Sequence, residues 1–168
     1  MNAIRVDSKA LTLTFNDRII PCTIGRSGAC PAEDKSEGDG CTPLGSWPIR
    51  GTLFHPGRAA PSNGCALPWR WINEQDGWSD DPADPSYNRP VRLPHPFSAE
   101  TLVRNDPLYD IIIVLGHNDT PPKSGKGSAI FFHVWNEGKP TEGCVAIARK
   151  DMDALLPELI PGDMMIIQ

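Results

Sequence analysis

The sequence predicts a single, mainly β domain with one or two short helices and long loops. The chain has 168 residues, which is the usual size of one domain, so we treat residues 1–168 as one unit. Its 18 prolines and 15 glycines disfavour a helical bundle, because both residues interrupt helix interiors. Several apolar segments are short and rich in β-branched or aromatic residues, as strands are.

Two short strands are predicted near the start of the chain. Leu11, Leu13 and Phe15 alternate with polar residues, which is the period of a half-buried strand. Asn16-Asp17-Arg18 is typical of a turn, so residues 19–24 are predicted to form the return strand of a hairpin. We expect this hairpin to belong to one of the two facing sheets of a sandwich.

The region from residue 56 to residue 107 is dominated by Pro, Asn, Asp and Trp and shows little periodicity. An irregular stretch of this length inside a compact domain is usually functional. We interpret it as a lid or rim over a cleft, built from short strands and turns. Its tryptophans are expected to pack into the core of this insertion, the alternative being an aromatic rim for a sugar or a peptide.

The second half of the chain is more regular. Ile111–Leu115 is a continuous apolar run, which is typical of a strand covered on both faces. Residues 128–135 form a second β-rich run, and the Gly- and Pro-containing loop between the two runs places both in one sheet. A short strand is expected at 145–148, a helix at 151–156 that is disturbed by the following proline, and a last strand at 164–168.

Charge and hydropathy exclude several functional classes. The net charge is −5, and no run of Lys or Arg is longer than two residues. A nucleic-acid partner and a polybasic membrane anchor are therefore not expected. The apolar runs are much shorter than the roughly 20 residues of a membrane span. No apolar signal-peptide core follows Met1, so the chain is expected to be cytoplasmic or cut from a longer precursor.

The five cysteines have no CxxC spacing, which argues against a thiolate zinc site, and we expect neither a metal nor another cofactor. Four of the five cysteines allow two disulfides in three arrangements. Without an export signal we expect the thiols to be reduced. The cysteines are Cys22, Cys30, Cys41, Cys65 and Cys144.

One pair of residues has the pattern of a nucleophile and its base. His133 lies near the end of an apolar strand, and Cys144 follows Gly143 just before another apolar segment. Neighbouring strands would place the imidazole beside the thiol, which favours a thiolate with a lowered pKa. The alternative for each residue alone is a buried core histidine and a small buried hydrophobe.

The same segment resembles the catalytic motif of the L,D-transpeptidase (YkuD-type) family, in which an apolar strand with a histidine precedes a Ser/Thr-x-Gly-Cys element. The matching residues are His133 and Thr141-Glu142-Gly143-Cys144. Residues 35–45 resemble the K-x-E-G-D-G-x-T-P-x-G stretch of that family. Three further blocks are similar to one branch of it, namely residues 78–82, residues 87–89 and His117-Asn118. The resemblance covers nearly the whole chain and implies a YkuD-like β-sandwich.

The resemblance implies a chemistry and its partners. Cys144 would attack the carbonyl of an L–D peptide bond in a peptidoglycan stem peptide and form a thioester, and His133 would protonate the leaving amine. The acceptor would be the amine of a second stem peptide, such as a diaminopimelate side chain. The resemblance also implies covalent inhibition by carbapenems, a role in cell-wall biogenesis and cell shape, and a periplasmic or cell-envelope location.

It also implies roles around the pair. We expect the Val134 region to orient His133, the amides of Gly143 and Cys144 to face the oxyanion, and Thr141 and Glu142 to help position the substrate. Two further residues are expected to contact substrate, namely Asn118 and Trp135. The alternative for Asn118 is a local turn. Residues 37–40 lack the ligand pattern of an EF-hand and are interpreted as a turn that buttresses the site.

Two departures from the family pattern leave the reaction open. Glu142 stands where the family commonly has a second histidine, and Ala146 stands where it has Asn or Arg. These differences are compatible with a transpeptidase and with an L,D-carboxypeptidase or amidase that hydrolyses the same peptides. A third alternative is a non-catalytic cell-wall binding module, although the intact His133 and Cys144 argue against it.

Overall fold

The computed structural model describes residues 3–168. Over this range one short helix, α1 (Arg149–Leu155), runs into a 3-10 turn at Leu156–Glu158. The strands are β1 (Ala3–Asp7), β2 (Thr12–Phe15), β3 (Arg18–Thr23), β4 (Ala29–Cys30), β5 (Thr42–Pro43), β6 (Gly45–Phe54), β7 (Trp69–Trp71), β8 (Asp76–Ser79), β9 (Pro90–Arg92), β10 (Ala99–Thr101), β11 (Ile111–Leu115), β12 (Phe131–Val134), β13 (Val145–Ile147) and β14 (Met164–Ile167). The predicted mainly β fold is confirmed.

Eight strands form a closed sandwich. Their order is β11-β12-β13-β3-β2-β1-β14-β6, and β6 pairs back onto β11. Residues 45–48 of β6 pair with β14, whereas residues 49–54 pair with β11. This strand therefore passes from one sheet to the other. Apolar side chains from both sheets and from α1 pack into one core.

The strand β12 has two covered faces, which explains its run of large apolar residues. Phe132 and Val134 point into the sandwich core, whereas Phe131 belongs to a second apolar cluster on the opposite face. Because side chains alternate along a strand, His133 shares the outer face with Phe131. The same alternation in β11 places the Ile112 side chain in the apolar cluster that contains Phe131.

The middle region covers this outer face. Strands β10, β8 and β9 form a separate antiparallel sheet, and Trp78 on β8 packs edge-on against Phe131 with ring centroids 5.0 Å apart. The expectation that residues 56–107 form a lid is met for the sheet at residues 76–101, whereas β7 pairs with β6 and extends the main sheet. Core packing was the correct prediction for Trp78 but wrong for Trp69 and Trp71, which are each 43% exposed on β7.

Several boundaries differ from the sequence prediction. The helix begins at Arg149, two residues early, because Arg149 pairs with Asp153 one helical turn on, at 2.9 Å. The strands β1 and β6 were not predicted. The first lies at the chain start and pairs in parallel with β14, and the second carries Pro48 and Gly51, which weaken strand signals.

Candidate active site

A cavity of about 540 Å³ opens between the sandwich and the middle region. One side, here called the sheet wall, is formed by His133 and Cys144 at β12 and β13. The opposite side, here called the roof, is formed by residues of the middle region and of the segment that leads into β11. The roof residues are Asp80, Glu100, Arg104, Leu108 and Tyr109.

The position of Cys144 follows from the pairing of the two strands. In the parallel register His133 lies opposite Ala146 and Phe132 lies opposite Val145. Cys144 therefore sits just before β13, on the same face as His133 and displaced towards the start of β12. Its thiol donates to the carbonyl oxygen of Ala129 at 3.2 Å and accepts a hydrogen bond from the Phe131 amide at 3.3 Å.

The ring of His133 is held by the backbone and by one aromatic neighbour. Its Nδ1 lies 2.7 Å from the Val134 carbonyl oxygen, and the Tyr109 ring packs edge-on against it at 5.2 Å. Since a carbonyl oxygen only accepts, Nδ1 carries the proton and Nε2 is the nitrogen that can take another. The Val134 region thus lies where the sequence analysis expected it.

Burial makes both groups neutral at rest. Burial lowers the pKa of His133 to about 4. The carbonyls of Val134 and Leu108 favour the protonated ring and so oppose this shift, but they are outweighed. Burial also raises the pKa of Cys144 to about 12, and the nearby carboxylate of Glu100 adds to this effect. These directions are opposite to the lowered thiol pKa expected from the sequence, because desolvation disfavours both charged forms.

The residues before Cys144 form a tight loop. The Thr141 hydroxyl donates to the Cys144 carbonyl oxygen at 2.6 Å and accepts from the Gly143 amide at 3.1 Å. That amide is already engaged, so it does not point freely at an oxyanion as expected. Glu142 lies at the rim of the cavity, where its largely exposed carboxylate pairs with Arg26 at 2.8 Å.

The predicted buttressing turn was residues 37–40, but the contacts with this loop come from the two residues that follow it, Cys41 and Thr42. Thr42 donates its hydroxyl hydrogen to the Gly143 carbonyl oxygen at 2.8 Å. A Cβ on Gly143 would lie 3.0 Å from the Cys41 carbonyl oxygen, and Gly143 has a φ of +139°. Only glycine fits this close approach without strain.

A disulfide joins Cys30 to Cys41, so the expectation of fully reduced thiols is wrong. It links the segment that follows β3 to the block that touches Gly143. Cys22, Cys65 and Cys144 remain free thiols.

The roof contains functional candidates that sequence reasoning missed. The Tyr109 hydroxyl donates to Glu100 at 2.5 Å, and the Arg104 guanidinium lies 5.3 Å from the centre of the Tyr109 ring. Glu100 belongs to a three-residue strand in an irregular region. No motif or periodicity marks it, and only the fold brings it opposite Cys144.

The two expected substrate contacts separate in the structure. Trp135 lines the main cavity, whereas Asn118 lines a different cavity of about 430 Å³. The Asn118 amide donates to the carbonyl oxygens of Lys123 and Gly127, both at 2.9 Å. Its side chain therefore organises its own loop, which is the local role weighed as the alternative.

The described range, residues 3–168, bears on metal binding and on membrane insertion. No group of three or more His, Cys, Asp or Glu residues in this range is arranged to hold a metal ion. None of its helices has the length and apolar character needed to cross a membrane.

Comparison with known proteins places this geometry in a family. The family model of the L,D-transpeptidase catalytic domain, YkuD, matches residues 2–167, whereas no curated protein matches the chain. Two similar solved structures come from Mycobacterium tuberculosis, and the first of them is from strain H37Rv. The first is an L,D-transpeptidase with 12% identity and a TM-score of 0.50, and the alignment covers 99% of this chain and 57% of the other. The second, L,D-transpeptidase 3, has 13% identity, a TM-score of 0.50 and coverages of 99% and 60%.

A third similar structure is the helical cell shape determining protein Pgp2 from Campylobacter jejuni, with 12% identity, a TM-score of 0.50 and coverages of 99% and 47%. The chain thus spans 60% or less of the length of these three proteins. At such identities the likeness shows the fold alone. The family model, however, spans nearly the whole sequence, and the chain belongs to the L,D-transpeptidase catalytic domain family.

Proposed function

We propose that this chain is a cysteine-dependent L,D-transpeptidase that acts on peptidoglycan stem peptides through a thioester. The observation that carries the proposal is that Cys144 and His133 open onto one cavity from the same face of two neighbouring strands. The cavity volume of about 540 Å³ is in the range of small-molecule and peptide sites. Donor and acceptor would both be stem peptides, which implies that the enzyme acts in the cell envelope.

The first half of the reaction forms the thioester. As the Cys144 sulfur attacks the carbonyl carbon of the L–D peptide bond, the thiol proton passes to Nε2 of His133. The C–N bond then breaks, and His133 returns this proton to the leaving D-residue amine. The hydrogen bond from Nδ1 to the Val134 carbonyl holds the ring during both transfers.

The second half of the reaction transfers the acyl group. An acceptor amine attacks the thioester carbonyl, the C–S bond breaks, and a proton from the amine reaches the sulfur through His133. Because burial keeps thiol and imidazole neutral at rest, we infer that the thiolate arises only as the substrate carbonyl is attacked. The bound peptide then replaces water around the reacting atoms.

The test uses a tetrapeptide stem as donor, with and without an amine acceptor, and mass spectrometry of protein and products. A thioester on Cys144 and a cross-linked product would support the transpeptidase. Release of the terminal residue with water as the sole acceptor would instead indicate the hydrolase. Binding without any covalent adduct or turnover would indicate the non-catalytic module and overturn the proposal.

A carbapenem provides a second probe of the nucleophile. We expect its mass to be added once, at Cys144, while the free thiols Cys22 and Cys65 stay unmodified. The matched pair of variants is Cys144→Ala, which should lose the adduct, and Cys65→Ala, which should keep it. An adduct that persists in Cys144→Ala would contradict the assignment of the nucleophile.

A further inference from the structure

The acidic side chain Glu100 lines the same cavity as Cys144, and its charge acts on the Cys144 thiol. It lies on β10 of the roof, and the Tyr109 hydroxyl holds its Oε1 at 2.5 Å. The Tyr109 ring is itself packed against His133. A single side chain therefore separates the Glu100 carboxylate from the general base.

The cations that line the cavity mostly have carboxylate partners of their own. Arg104 donates twice to Asp106, at 2.9 and 2.7 Å. The buried Lys35 ammonium is paired with Asp39. Lys139 is the remaining cavity cation, and it is exposed at the rim.

The carboxylates of the cavity are less well balanced. Glu100 accepts from Tyr109, and Glu37 accepts from Tyr87, so each of these two carboxylates has a neutral hydroxyl as its hydrogen-bond partner. Asp80 has a buried Oδ1 without a hydrogen-bond partner among the described residues, and the fourth carboxylate, Glu142, is paired with Arg26 at the rim. Within the same cavity the hydroxyl of Ser128, which is more than nine-tenths buried, has only a weak contact with the Tyr87 hydroxyl and makes no regular hydrogen bond. Unfilled polar groups and uncompensated negative charge together favour a cationic, hydrogen-bonding ligand.

We propose that Glu100 is a specificity-determining residue that binds the ammonium group of the acceptor, an inference that rests on the proposed transferase function. An acceptor amine enters as its cation and must lose a proton before its nitrogen can attack. Burial raises the pKa of Glu100, and this effect outweighs the Tyr109 hydrogen bond and the charge of Arg104, which act in the opposite direction. The charges of Asp80 and Glu37 add to the rise. A carboxylate of this kind is a better proton acceptor than one in water.

The acceptor enters as an ammonium ion with three protons on its nitrogen. The ammonium gives one proton to the Glu100 carboxylate and becomes a free amine. The amine nitrogen attacks the thioester carbonyl, and the C–S bond of Cys144 breaks. A second amine proton passes through His133 to the sulfur, the third stays on the new amide, and Glu100 returns its proton to solvent. Water has no such charge, so Glu100 favours transfer over hydrolysis.

The test compares Glu100→Gln with wild type on two acceptors after the thioester has formed. The first is Nα-acetyl-lysine, whose side chain is a cation at neutral pH, and the second is hydroxylamine, which is uncharged there. We expect kcat/KM for the lysine acceptor to fall roughly tenfold or more. Transfer to hydroxylamine from the same thioester should stay within about twofold of wild type. The rate of thioester formation is measured separately, because the Glu100 carboxylate also raises the pKa of the attacking Cys144 thiol.

The control variant is Glu74→Gln, which removes a carboxylate from an exposed position outside the cavity. It should leave both acceptors unaffected, and Glu100→Asp, which keeps the charge, should recover part of the lysine transfer. If Glu100→Gln does not fold, Asp80→Asn is compared with wild type on the same two acceptors. Its kcat/KM for the lysine acceptor should fall by a smaller factor. Equal losses on both acceptors, or none, would overturn the role of Glu100. Absence of any thioester in wild type would instead overturn the proposed function.

Discussion

The two walls of the cavity are built in different ways. On the sheet wall, Cys144 and His133 are held by backbone carbonyls and amides and are neutral at rest. On the roof, Glu100, Tyr109 and Arg104 are held by one another and by other side chains. Under the proposed function this difference corresponds to a division of work, in which the sheet wall would carry the bond chemistry and the roof would select what reacts.

The division has a physical basis. Regular strands and their backbone hydrogen bonds fix Cys144 and His133 in a geometry that does not depend on the charge of a neighbour. Side-chain networks on short strands and turns are easier to alter without loss of the fold. Variants of the sheet wall should therefore stop the reaction, and variants of the roof should change its partner.

The largest expected effect comes from removal of the nucleophile. We expect Cys144→Ala to lower the rate of acyl transfer by about ten-thousand-fold or more, since loss of a covalent nucleophile has effects of this order. The measurement is product formation from a tetrapeptide donor. Cys65→Ala should stay within about twofold of wild type. If Cys144→Ala kept substantial turnover, the sheet wall would not be where the chemistry occurs.

The second prediction concerns the neutral resting state of the sheet wall. The thiolate is the form that alkylating agents attack, and burial raises the pKa of Cys144 to about 12. Its thiolate fraction, and with it the alkylation rate, should rise about tenfold for each pH unit between roughly pH 7 and 10. Peptide mapping after timed alkylation measures this rate at Cys144. A rate that is high and constant through neutral pH would indicate a thiolate–imidazolium pair instead.

The sequence predicts the sheet wall far better than the roof. The run Ile111–Leu115 is found at the predicted bounds, because an apolar run covered on both faces leaves few alternatives. The neighbouring β12 and the position of Cys144 before β13 were also predictable. In these segments the run of apolar residues in the sequence agrees with the burial of the strands in the structure.

The roof depends on contacts between residues far apart in sequence. Glu100 pairs across to Trp78 in the separate sheet, and its role is visible only once that sheet is seated over Phe131. The disulfide between Cys30 and Cys41 was missed for a different reason. Cysteine spacing does not fix pairing, and the redox argument favoured free thiols.

The third prediction tests the contact that positions the sheet wall. Gly143→Ala would place a Cβ 3.0 Å from the Cys41 carbonyl oxygen at a φ of +139°. Backbone strain and overlap together should lower the free energy of unfolding by roughly 2–5 kcal/mol. The control is Gly138→Ala, at a φ of +74° with open space around it, which should cost about 1–2 kcal/mol. Equal urea midpoints for the two variants would show that the contact is unimportant.

The fourth prediction concerns the disulfide behind that contact. Replacement of Cys30 and Cys41 by Ser should lower the free energy of unfolding by about 2–3 kcal/mol, because the unfolded chain regains the freedom of a short closed loop. Urea unfolding with and without a reducing agent measures the effect. Reducing agent should destabilise the wild type but not the double variant. A wild type that is insensitive to the reducing agent would argue against the bond.

The last prediction concerns a residue outside both walls. Asn118 was expected to contact substrate, but its side chain binds Lys123 and Gly127 within its own loop. Asn118→Gly keeps the positive φ of 48° accessible and removes these hydrogen bonds, so it should cost about 1–2 kcal/mol of stability. Its KM for the donor peptide should change by less than about twofold. A selective rise in KM at unchanged stability would place substrate against the second cavity and require a larger binding cleft than the two walls define.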